Sequence, residues 1–97
     1  MSKLSPEQVA VYLHKLPNWR FESDALHRTY RLDGFQGAIA FVNRIAELAN
    51  AANHHPDIAI KYNQVTVSLT THDSRGVTGK DFSLAQSIES DALRAKA

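Results

Sequence analysis

The 97-residue chain is 43% hydrophobic and 22% charged, which suits one globular domain over residues 1–97 built around one core. Eleven Lys and Arg stand against ten Asp and Glu, a net charge of +1, so no basic excess points to nucleic acid or to an anionic membrane. There is no Cys, which excludes disulfides, thiolate metal sites and a cysteine nucleophile; no apolar run nears the roughly 20 residues of a membrane span and Met1–Pro6 lacks a signal-peptide core, so a cytoplasmic location is expected.

Ser5-Pro6-Glu7-Gln8 reads as a helix start, with Ser5 as cap, Pro6 at the first helical position and Gln8 closing a capping box. Val9, Tyr12, Leu13 and Leu16 then share a helical face, and Pro17-Asn18 ends the helix. Trp19–Glu22 and Leu26–Leu32 read as strands, broken by the polar Ser23-Asp24-Ala25. In the second run Leu26, Tyr30 and Leu32 alternate, but Arg28 interrupts their apolar face and leaves the register open.

From Phe35 the period becomes helical. Phe35, Ile39, Val42, Ala46 and Ala49 recur every three or four residues, flanked by Ile45 and Leu48, which predicts a helix from Phe35 to Ala52. Asn53 and the following His-His-Pro end it. Ile58, Ile60 and Tyr62 then alternate, as do Val65, Val67 and Leu69. A two-residue turn at Asn63-Gln64 would set Tyr62 opposite Val65, Ile60 opposite Val67 and Ile58 opposite Leu69, so that every apolar side chain meets another. Thr70–Gly76 reads as a polar loop with Gly76 at positive φ. Thr78-Gly79-Lys80-Asp81 resembles a capping box with Asp81 in the usual place of Glu, opening a helix with Phe82, Ala85, Ile88 and Ala92 on its apolar side. The order α-β-β-α-β-β-α predicts an α+β two-layer sandwich, a four-stranded antiparallel sheet with helices on one face.

Five His are present, and three of them, His54, His55 and His72, fall near the ends of the second hairpin. Extending its register sets His55 opposite His72, with His54 at the helix–strand junction. Imidazole titrates near pH 6.5 and exchanges protons readily at neutral pH; two or three around one ligand can supply a general acid and a general base. His14 and His27, standing alone, read as surface residues. A three-imidazole zinc site is the alternative, but adjacent side chains on extended backbone point to opposite sides, and no His-x-His or His-Glu-x-x-His spacing is present. The glycines form no phosphate-binding fingerprint, no nucleophile elbow supports a serine triad, and Trp19 reads as a core or edge anchor.

Asn53-His54-His55-Pro56-Asp57, then Tyr62-Asn63, Val65, Val67, Leu69, Thr71-His72-Asp73, Gly76, Thr78 and Asp81, closely resembles the pterin-4a-carbinolamine dehydratase family, over about Trp19 to Ile88. The resemblance implies the same α+β fold and a homodimer or homotetramer. It implies loss of water from a 4a-hydroxytetrahydropterin to give the quinonoid dihydropterin, within recycling of the hydroxylase cofactor. The pterin is then the substrate; no metal and no further cofactor are implied, and neither nucleic acid nor membrane is an expected partner. His54 and His72 match the acid–base positions, and His55 a substrate contact with a secondary catalytic part. Pro56, Thr71 and Asp73 match positions lining the pterin, and Asp81 the terminal acid that holds the loop. Two positions depart from the pattern: Asn50 stands where the family often has an acid, and Asn53 replaces a frequent Asp. Some family members also bind a transcription factor and stabilise its dimer, so an interaction module with little dehydratase activity is the second expectation.

Overall fold

The computed structural model describes residues 2–96. The first helix, α1, spans Pro6–Leu13. Its expected capping box is present: the Gln8 amide donates to Ser5 Oγ at 3.2 Å and the Ser5 amide donates to Gln8 Oε1 at 2.8 Å. Val9 and Leu16 are buried, whereas Tyr12 lies half exposed with its ring 5.1 Å from that of Phe82. Strands β1 (Arg20–Glu22) and β2 (Ala25–Arg31) follow. Ser23 and Asp24, both at positive φ, form the turn between them, the handedness that matches strand twist. Ala25 belongs to β2 rather than to the break.

Helix α2 spans Gly34–Ala52 and buries Ala38, Phe41, Ile45 and Ala49. Of the predicted stripe of Phe35, Ile39, Val42, Ala46 and Ala49, flanked by Ile45 and Leu48, Ile45 and Ala49 are buried and Val42 and Leu48 pack partly buried against the core, whereas Phe35 is 52% exposed. Both stripes recur every three or four residues, and the one carrying Phe41 and Ile45 covers the sheet. Strands β3 (Asp57–Lys61) and β4 (Gln64–Leu69) complete a four-stranded antiparallel sheet of order β1-β2-β4-β3. A single 3₁₀ turn, His72–Ser74, leads toward α3, Gly79–Lys96.

The hairpin register differs from the predicted one by two residues. Ile60 faces Val65 and Ile58 faces Val67, so the turn is Tyr62-Asn63. A two-residue shift leaves every side chain on its face, so alternation alone does not choose between the registers. Contacts from β2's end choose: the Leu32 amide donates to the Asn63 carbonyl at 2.7 Å, and Asn63 Nδ2 donates to the Leu32 carbonyl at 3.3 Å. Gly76 is a second correction. The left-handed residue is Arg75, at φ +58°; Gly76 instead lies under Lys3, whose Cδ would sit 2.7 Å from a Cβ at that position. The Leu4 amide donates to the Val77 carbonyl at 2.8 Å, so the chain's beginning straps the loop.

Leu26, Tyr30, Val65, Val67 and Leu69 pack against the inner faces of α2 and α3, where Leu84 joins the predicted Phe82, Ala85, Ile88 and Ala92. Arg28, the interruption on β2, also faces inward. It pairs with Glu89 of α3 and lies 4.2 Å over the Tyr30 ring. The Tyr30 hydroxyl donates to the same Glu89 oxygen, as does Trp19 Nε1 at 2.9 Å. The other sheet face is polar: His27 Nδ1 meets Ser68 Oγ at 2.8 Å, and the Thr29 and Thr66 hydroxyls meet at 2.9 Å.

Candidate functional site

At the C-terminus of α2, Asn53 adopts the left-handed conformation, φ 51° and ψ 42°. The Asn53 amide reaches the Asn50 carbonyl and the His54 amide reaches the Ala49 carbonyl at 3.1 Å, the paired bonds of a Schellman ending. Asn tolerates this conformation better than most residues. The reversal turns His54 back across the helix end toward the start of α3.

There His54 meets Asp81. Its Nε2 lies 2.5 Å from Asp81 Oδ1, and the carboxylate is fully buried. Asp81 closes the predicted capping box, because its Oδ2 accepts the Thr78 amide at 2.9 Å while Thr78 Oγ1 accepts the Lys80 amide at 3.3 Å. The same Oδ2 accepts the Thr71 hydroxyl at 2.8 Å. One carboxylate therefore joins the loop after α2, the end of β4 and the first turn of α3. A buried carboxylate is tolerable because these donors replace its water.

An open cleft of about 380 Å³ lies over this junction, lined by Asn53, His54, His55, Thr70, Thr71, His72, Asp73 and Lys80. The three predicted histidines thus share one mouth. They do not meet as a strand pair, however. The β3–β4 ladder ends at Asp57 and Ser68, Pro56 offers no amide to extend it, and His72 has already entered the 3₁₀ turn. His55 Nε2 donates to Asn50 Oδ1 at 3.1 Å, so the amide at 50 orients that ring as a neutral acceptor. Thr71 lines the cleft, with its hydroxyl directed at Asp81. Pro56 lies outside the lining.

Thr70 and Lys80 were missed by the sequence reading. Lys80 carries a signal: a cation in the first turn of a helix opposes the helix dipole. Among the described residues, no three His, Asp or Glu side chains come together as a set able to hold a metal. The cleft brings together one imidazole backed by a buried carboxylate and two more imidazoles in its lining, side chains able to exchange protons near neutral pH.

The family model described as pterin 4 alpha carbinolamine dehydratase matches residues 2–90. A Chloroflexus aurantiacus protein provisionally named pterin-4-alpha-carbinolamine dehydratase is 51% identical over 89 residues, covering 92% of this chain and 96% of its own length. A Thermomicrobium roseum protein with the same provisional name is 48% identical over 88 residues, covering 91% and 95%. The crystal structure of a transcriptional coactivator/pterin dehydratase from Brucella melitensis matches with a TM-score of 0.87 at 28% identity, covering 92% of this chain and 97% of that one. Carrying these matches along nearly its whole length, the chain belongs to the pterin-4-alpha-carbinolamine dehydratase family.

Proposed function

We propose that this cleft removes water from a 4a-hydroxytetrahydropterin to give the quinonoid dihydropterin, with His54 and His72 as the acid–base pair. The observation that carries the reading is the convergence of His54, His55 and His72 on one cleft, with His54 held by a buried carboxylate. In the reaction the C–O bond breaks with its electron pair on oxygen, and an imidazolium gives that oxygen a proton, so water leaves. A neutral imidazole takes the proton of a ring N–H, whose electrons form the new C=N bond. The reaction needs neither a redox partner nor a metal, and general acid–base catalysis of this kind is worth about 10²–10⁴-fold. His55, Thr71 and Asp73 contact the pterin, with His55 in a secondary catalytic part; Asn53 shapes the helix end behind them, and Asn50 orients His55. The product is the form that a recycling reductase takes up, which places the protein after a pterin-dependent hydroxylase.

The test is the dehydration rate of a synthetic 4a-hydroxytetrahydropterin with and without the protein. His54→Ala and His72→Ala are each expected to lower kcat at least about tenfold with unchanged circular dichroism. Turnover near wild type in both variants overturns the assignment.

A second reading has its own observation. The outer stripe of α2 leaves Phe35 exposed, and the Brucella relative is described as a coactivator as well as a dehydratase. That face suits assembly of a homodimer or homotetramer, and a partner helix could use it equally. An inactive protein that co-purifies with another protein favours the interaction module.

A further inference from the structure

The hydrogen bonds around Asp81 determine which ring nitrogen of His54 is engaged and which is free. Thr71 Oγ1 lies 2.8 Å from both Asp81 Oδ2 and Thr78 Oγ1. A hydroxyl has one hydrogen. The Asp81 carboxylate accepts and does not donate, so the Thr71 hydrogen goes to Asp81 and the Thr78 hydroxyl donates to Thr71. The Thr78 amide donates to the same Oδ2. Oδ2 is therefore surrounded by donors, and the hydrogen bond to Oδ1 comes, among the described residues, from His54 Nε2. For that contact to be a hydrogen bond, Nε2 must carry the proton.

The other ring nitrogen, Nδ1, has no partner among the described residues. No buried side-chain nitrogen or oxygen lacks a partner there, so Nδ1 is open to the cleft that His54 lines. We infer that Nδ1 is the reacting atom of His54, and that Thr71 and Thr78 are positioning residues that hold the Asp81 carboxylate against Nε2. This rests on the dehydratase reading for the reaction itself, but the proton's location is independent of that reading. When Nδ1 takes a proton, the carboxylate behind Nε2 faces the positive charge that forms, as in other carboxylate–imidazole pairs.

A directional consequence follows for Asp81→Asn. The two donors at Oδ2 hold the amide oxygen in that place, and the amide NH₂ then faces His54. Nε2 must become the acceptor, which drives the proton to Nδ1 and blocks the reacting atom. The experiment is ¹⁵N NMR of the histidine rings in the whole protein, with kcat and KM for a 4a-hydroxytetrahydropterin. Wild type is expected to carry the His54 proton on Nε2. Asp81→Asn is expected to carry it on Nδ1 and to lose about 10²-fold or more in kcat with little change in KM. Thr71→Val combined with Asp81→Asn removes one of these two donors and leaves the Thr78 amide, so it is expected to raise the population protonated on Nε2 above that of Asp81→Asn alone. A wild-type proton on Nδ1, or an Asp81→Asn variant that carries it on Nδ1 at full kcat, overturns the inference. An inactive wild type with the proton on Nε2 instead overturns the dehydratase reading and upholds the tautomer, and the two variants then still read the part of Thr71 and Thr78.

Discussion

Arg28 shows how a single misfit residue gains meaning from one distant in sequence. On β2 it interrupts an apolar face, and nothing near it in sequence explains why. Glu89 of α3 explains it by gathering Arg28, Tyr30 and Trp19 on one oxygen. A half-buried cation without that carboxylate would be strongly destabilising. Folding also raises the pKa of Tyr30 well above its ordinary 10.0, first through burial and then through its bond to Glu89 and the carboxylate's charge. The sign follows from linkage. The neutral phenol is the form the fold favours, so its contribution is whole below about pH 10 and is lost as pH climbs past the unfolded value toward the folded one. The expected outcome is a falling urea midpoint above about pH 10. Tyr30→Phe should flatten that fall while costing about 1–2 kcal/mol at neutral pH. The capping pairs Ser5–Gln8 and Thr78–Asp81 were legible in the sequence because each is local. The Glu89 cluster was not, because it joins residues 59 to 70 positions apart.

Helix ends set by neighbouring residues were read closely at α2 but not at α1, which stops at Leu13 rather than running through Leu16 to Pro17. Helix α2 ends at Ala52 as its Asn-His-His-Pro boundary indicates. The β3–β4 hairpin was recognised by alternation, yet its register was displaced by two because Leu32, just past the end of β2, holds Asn63 in the turn. The β1–β2 turn offers a direct test of such local chemistry. Ser23 and Asp24 both sit at positive φ, a conformation in which Asn-Gly is preferred. Ser23→Asn with Asp24→Gly is expected to stabilise by up to about 1 kcal/mol, read as a rise of roughly 4–8 °C in Tm. The Asp24 backbone carbonyl, which accepts the Thr70 hydroxyl, is retained in that variant.

Across the whole molecule, the site is built at one end of the sheet, and on the outer side of α2 Phe35 stands exposed while Val42 packs against the core. The histidines were legible as a set because one hairpin brings its two ends together, which survives an error of two residues in register. Lys80 in the lining, the turn of Thr71 toward Asp81 and the exclusion of Pro56 depend on how α3 docks, which no local pattern encodes. Phe35→Glu tests the outer stripe: an acid in the first turn of α2 suits the helix dipole, so the fold should persist. If this stripe joins copies of the chain, sedimentation should shift toward the monomer, and an unchanged sedimentation coefficient removes the stripe from the interface.

The strap formed by Lys3 and Leu4 has a practical corollary. Leu4 is tied to Val77, and Lys3 covers Gly76, directly before the threonine that opens α3. Affinity tags or fluorophores fused at the amino end therefore attach beside the rim where chemistry is proposed to occur. The carboxyl end of α3 lies about 25 Å further along that helix, which makes it the safer point for labels and immobilisation.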